Sequence, residues 1–275
     1  MYYIEENDKP TKIEKVFKII KMEDNKIILP LDSENQKVNY QKKLAQKVYK
    51  LLEKTNSNKI LLSREINNLK YFVNILYSLN MEIVDGQWIK KIMALDIVDY
   101  IIDKKELKKQ ELEISVLVND VSEIEIEHIK ELAKDFKRVN IVTNHIEKFK
   151  NIEQEIYNEM GIVITINNNK KKSLTNSQII LNYDFPNELI NKYNILDNAI
   201  IINIRENIKI YKKRFEGIVI NDFEINKCEN EKYDSKQLYE SKFFKKQSFK
   251  YIRRKINEDE IKVAEIIGNN GKIIF

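Results

Sequence analysis

Between Glu113 and Ile220, short β-branched runs alternate with stretches of helical periodicity, and few folds accommodate that alternation. The first run is Glu113–Asp120 (EISVLVND), whose Val116–Val118 core is too compact for a helix. Ser122 then stands three residues before Glu125, the spacing of a capping box, in which the Glu reaches back to the cap amide. Ile126, Ile129 and Leu132-Ala133 follow at helical spacing. The second run is Arg138–Asn144 (RVNIVTN), followed by a helix over 146–158 with Phe149, Ile152 and Ile156 on one face. Gly161 ends that helix as a left-handed C-terminal residue, and Ile162–Ile166 forms the third strand. Ile179–Asp184 (IILNYD), Ala199–Ile204 and Gly217–Ile220 continue the series. Strands joined by helical crossovers make a parallel sheet, here of six strands.

The rest of the chain reads as a smaller α/β unit before this sheet and a tail after it. Residues 13–31 predict a hairpin, with Val16, Ile19 and Ile27–Leu29 flanking Asp24-Asn25. Helices follow over 37–54, with Leu44, Val48, Leu51 and Leu52 inward, and over 66–79. Strands are expected at Lys59–Leu62 and Glu82–Val84, and a turn at Asp85-Gly86. A helix over 87–103 is apolar on more than one face, which marks it as buried or as a connector. The expected division is a small α/β domain over 1–104, a mainly parallel sheet flanked by helices over 110–225, and a C-terminal segment over 226–275. That last segment comprises a loop over 226–237, a basic helix over 238–255 and a terminal hairpin or edge strand over 261–275.

Composition excludes several functions. Cys228 is the single cysteine, so there is no intrachain disulfide and no thiolate metal cluster. His128 and His145 are the only histidines, too few for a histidine metal site, and no metal is expected. No apolar run approaches the roughly 20 residues that cross a bilayer. The opening MYYIEENDKP is not a signal peptide, and a cytoplasmic protein without a membrane partner is expected. Abundant Ile, Asn and Lys reflect an AT-rich coding sequence. The net charge is +5, and residues 236–255 alone carry +7, leaving −2 for the remainder. That balance excludes a binder that meets nucleic acid over its whole surface.

In open parallel sheets, ligands sit beyond the carboxyl ends of the strands, and a dinucleotide's phosphates rest on a glycine-rich first turn. Here that turn is Asn119-Asp120-Val121-Ser122-Glu123, with no glycine and with carboxylates that satisfy the helix dipole unaided. The second strand ends Val139-Asn-Ile-Val-Thr143-Asn144-His145-Ile-Glu-Lys148-Phe. This resembles the Asn-Arg-Thr stretch in the NADP-binding, Rossmann-like domains of the shikimate dehydrogenase and glutamyl-tRNA reductase families. In those families the Arg meets the ribose 2′-phosphate. Asn144 matches, His145 stands where the Arg would, and Lys148 lies near. Leu174–Asn182 resembles their passage from helix end to strand to polar Asn, and Ala199–Ile204 their next buried strand. The resemblance covers about 100 of the 275 residues. The glycine-rich loop and the N-terminal Ser/Lys/Asp signature of shikimate dehydrogenase are both absent.

The resulting expectation is a degenerate Rossmann-like protein that binds a polar ligand or a protein partner in a crevice between its domains, without redox catalysis and with no cofactor. Asn119, Asn144, His145, Lys148 and Asn182 are the candidate cofactor-contacting residues if NADP is bound, and Asp184 and Asn203 fall at the same edge. No catalytic residue is assigned. The first alternative is an NADP-dependent oxidoreductase of shikimate-dehydrogenase-like architecture. The second is a nucleic-acid-associated protein acting through Lys245, Lys246, Arg253 and Arg254, a segment read in the first instance as a helix packing its aromatics on the body. Lys170-Lys171-Lys172 is read as a solvated basic loop.

Overall fold

The computed structural model describes residues 1–7, 9–31, 37–243 and 247–275, so Lys245 and Lys246 lie outside the described residues. The chain forms two compact units. The first joins Met1–Gly86 to Lys227–Lys245, and the second joins Gln87–Asn226 to Lys246–Phe275. The division thus falls at Gly86, before the helical stretch expected to act as a connector, and not at the charged 103–111 segment.

The first unit runs β1 (Tyr2–Glu6), α1 (Lys12–Phe17), β2 (Lys21–Glu23), β3 (Lys26–Leu29), α2 (Val38–Glu53), β4 (Lys59–Leu62), α3 (Arg64–Asn67), α4 (Lys70–Ser78) and β5 (Glu82–Val84). Its sheet order is β2-β3-β1-β4-β5, with only the β2–β3 pair antiparallel. The hairpin is therefore confined to 21–29. Val16 instead sits on α1 and is 70% exposed, because Thr11 caps a helical turn there, its hydroxyl accepting from the Glu14 amide at 3.2 Å. The central strand β1 was not anticipated, since its alternation is masked by two glutamates. Ile4 is buried among Ile27, Leu29, Leu44 and Phe72, while Tyr3 on the opposite face packs edge-on against Tyr233.

The second unit opens with α5 (Gln87–Ile92) and α6 (Ala94–Lys104), two helices where one was expected. Then come β6 (Glu113–Leu117), α7 (Glu123–Asp135), β7 (Arg138–Val142), α8 (Ile146–Met160), β8 (Thr165–Asn167), β9 (Ile179–Asn182), α9 (Asn187–Ile190), β10 (Ile200–Asn203) and β11 (Ile218–Ile225). The chain next supplies α10 (Ser235–Glu240) to the first unit and returns with α11 (Phe249–Glu258), β12 (Val263–Gly268) and β13 (Gly271–Lys272). The sheet order is β13-β12-β11-β10-β9-β6-β7-β8. Its six parallel strands are the expected six, with β8 starting three residues late, and the terminal hairpin adds two antiparallel strands. Gly161 ends α8 with φ 69°, as expected of a left-handed cap. No helix among the described residues is long and apolar enough to cross a membrane.

The order β11-β10-β9-β6-β7-β8 is that of a Rossmann-like sheet, and it reverses between β6 and β9. Both strands are buried along their apolar lengths, so their carboxyl ends open onto a crevice whose walls are fixed by the core.

Candidate functional site

At that reversal, the turn after β6 meets the segment after β9. Asp184 places its carboxylate on the turn: the Asn119 amide donates to both oxygens at 2.9 and 2.8 Å, the Asp120 amide donates at 2.9 Å, and Asn119 Nδ2 donates at 3.1 Å. These are the backbone donors that a glycine-rich turn offers to a pyrophosphate. Here the chain's own carboxylate occupies them. Burial pushes the Asp184 carboxyl up from its ordinary value, against the amides of Asp120 and Asn119, which hold it down.

The sequence-predicted residues divide into two groups. Asn119 Oδ1 accepts from the Asn144 amide at 2.9 Å, and Lys148 lies 3.6 Å from Asp120, so Asn119, Asn144 and Lys148 gather at one edge. His145 is exposed beside them, its amide held by Thr143 Oγ1 at 3.0 Å. Asn182 does not join this group. It is 1% exposed, and its side chain is turned into the protein: Nδ2 donates to the Phe185 carbonyl at 2.9 Å and to Asn203 Oδ1 at 2.8 Å, while Oδ1 accepts from the Phe185 amide at 2.9 Å. The row continues, because Asn203 Nδ2 donates to Asn221 Oδ1 at 3.5 Å and Asn221 Nδ2 donates to Asn269 Oδ1 at 2.8 Å. Asn182 and Asn203 were expected to line the crevice. In fact they tie the ends of β9 and β10 together, since buried amides find their hydrogen-bond partners within the protein.

A cleft of about 280 Å³ lies next to Asp184, bounded by Gln87, Lys91, Tyr183, Ile204 and Arg205. Glu125 lines it as well and neutralises Lys91 through an ion pair, while its carboxylate accepts from the Ser122 amide at 3.0 Å in the expected capping position. Asp120 is committed to Lys148, and Asp184 to the turn. Arg205, exposed on the first position beyond Ile204, has no ion pair among the described residues. It is thus the uncommitted charge of the cleft among them. Arg205 and Lys91 were not anticipated, although a charged residue directly after a buried strand is a readable signal for the former.

Behind the cleft, His128 is buried, and its Nδ1 lies 2.5 Å from the Tyr183 hydroxyl. Burial above all, then the charges of Arg253 and Lys91, push the imidazole down to about 3, and it is neutral at physiological pH. The Phe249 ring closes this pocket edge-on at 5.4 Å. No group of three or more acidic, histidine or cysteine side chains among the described residues is arranged to hold a metal ion.

Of the basic segment 236–255, four cations among the described residues are paired. Lys236 is buried against Asp234 at 3.0 Å, Arg253 meets Asp96 at 2.5 Å, and Arg254 and Lys255 pair with Glu258 at 3.4 and 2.6 Å. The single helix expected over 238–255 does not form: α10 ends at Glu240 and α11 begins at Phe249, and Phe243, beyond α10, is buried against Tyr239.

Neither a family model nor a curated protein matches the sequence. Several solved structures do match. L-tryptophan dehydrogenase from Nostoc punctiforme is 11% identical, with a TM-score of 0.31, over 64% of this chain and 49% of its own. The hetero-hexameric glutamate dehydrogenase from Thermus thermophilus is 6% identical, with a TM-score of 0.36, over 85% and 64%. Ornithine carbamoyltransferase from Pyrococcus furiosus is 10% identical, with a TM-score of 0.31, over 74% and 71%. The chain spans about half the length of the first of these and under two thirds of the second.

Proposed function

We propose that the Rossmann-like unit is a binding domain that holds a small polar ligand in the cleft above β6 and β9, and that it does not carry out redox chemistry on a dinucleotide. The observation that supports this is the Asp184 carboxylate on the Asn119 and Asp120 amides. A pyrophosphate at the same place would find its donors taken and a like charge facing it. The ligand carries an anionic group, because Arg205 offers a forked set of donors suited to a carboxylate or a phosphate.

Thermal-shift titrations test this reading. NADPH, NADH and ATP are expected to leave the melting temperature unchanged. Among small carboxylates and phosphate monoesters, at least one is expected to raise it, with loss of that rise in Arg205→Ala. A saturable rise with NADPH that disappears in Lys148→Ala would replace this proposal with the NADP-dependent oxidoreductase reading. A companion variant checks the blocking carboxylate. Asp184→Ala is expected to lose about 2 kcal/mol of stability, from the charge-assisted hydrogen bonds of three donors at a half-buried site, and to gain binding of inorganic pyrophosphate that the parent protein lacks. Equal pyrophosphate affinity in the two proteins would remove the carboxylate as the block.

A further inference from the structure

Three loops of the second unit that are remote in sequence lie side by side. The Asn194 amide donates to the Lys170 carbonyl at 2.7 Å, Asn191 Nδ2 donates to the Lys209 carbonyl at 2.8 Å, and the Tyr211 amide donates to Asn191 Oδ1 at 2.9 Å. Lys212 Nζ also donates to the Tyr193 carbonyl. Stretches 168–178, 189–196 and 207–215 together carry eight Lys/Arg and no Asp or Glu, and Glu188, Asp197, Glu206 and Glu216 border them. Since the whole chain is +5, everything outside them sums to −3. Lys170, Lys171, Lys172, Lys192, Lys213 and Arg214 are exposed, with no ion pair among the described residues. Among them Tyr211 stands 68% exposed, its hydroxyl reaching only a 3.5 Å contact with Asn187.

We propose that this surface binds single-stranded nucleic acid. Unpaired cations contributed by three loops suit a phosphodiester backbone and gain from counterion release. An exposed ring set among them suits stacking of an unpaired base, which a duplex does not present. An acidic protein surface would satisfy the cations but not Tyr211. The site differs from the cleft beside Asp184 and does not depend on what that cleft holds.

Fluorescence anisotropy of the full-length protein with labelled RNA and DNA single strands of about 12 nucleotides tests it. Both are expected to bind, with log Kd against log salt sloping by about 3–5 between about 50 and 200 mM, as five to seven phosphate contacts require. Lys171→Glu and Arg214→Glu are each expected to weaken binding several-fold and to flatten the slope, and Tyr211→Ala to weaken it about ten-fold. Arg254→Glu, on a cation already paired with Glu258, is the control and should bind like the parent. Circular dichroism and melting temperature confirm that each variant is folded. Absence of binding at about 50 mM salt, an equal loss in Arg254→Glu, tighter binding to a blunt duplex, or full competition by polyglutamate would each overturn the proposal.

Discussion

The stability contributed by His128 falls as the pH drops from about 6.5 towards 3, and His128→Gln is expected to remove that contribution. His128 titrates at 6.5 when unfolded and at about 3 when folded. Between those values the unfolded chain binds the proton and the folded protein does not. Stability from this group is therefore complete above 6.5 and is lost as pH falls through the window. Over the full span the loss is on the order of 4 kcal/mol. The physical cause is burial between the Tyr183 hydroxyl and the Phe249 ring, with Arg253 and Lys91 adding unfavourable positive charge. Asp96, Glu131 and Asp184 work in the opposite sense. Burial raises each of them, so their cost is relieved on acidification. They are common to both proteins and drop out of the difference. Urea midpoints between pH 7.5 and 4 give the comparison, and parallel curves for parent and variant would show that the imidazole is not the acid-sensitive group.

Asn182→Ala is expected to cost about 3–5 kcal/mol, far more than the loss of one amide contact, because it strands buried partners. The Phe185 amide, the Phe185 carbonyl and Asn203 Oδ1 all lose a hydrogen bond at a buried site. The loss should propagate along the row to Asn221, so that Asn182→Ala combined with Asn221→Ala costs less than the two separate losses added together. Chemical denaturation of the three variants measures this. A loss under about 1 kcal/mol for Asn182→Ala would show that the loop after β9 re-forms its hydrogen bonds by itself.

Local pattern and distant pairing account for what was and was not legible in the amino-acid sequence. The six parallel strands, the Ser122–Glu125 cap and the Gly161 stop are written in residues a few positions apart, because periodicity and capping are properties of one turn or one strand. The same reading missed β1, whose alternation of Tyr, Ile and Glu becomes a central strand only when β3 and β4 pair on either side of it. It placed Asn182 in the crevice, since the strand end was right but the direction of its side chain depends on Phe185 and on Asn203, 21 residues away.

Charge shows the distinction most plainly. By sequence, positive charge concentrates at 236–255, yet folding sets Asp96, Asp234 and Glu258 against several of those cations. It leaves exposed a second group assembled from Lys170–Lys172, Lys192, Lys209, Lys213 and Arg214. The carboxylate that fills the first turn comes from Asp184, 65 residues beyond Asn119. The sequence by itself determined which segments become strands and helices, because backbone preference and amphipathic spacing act locally. Only the tertiary structure decided which charges and amides remain free, because that depends on strand order, and strand order brings together groups with no proximity along the chain.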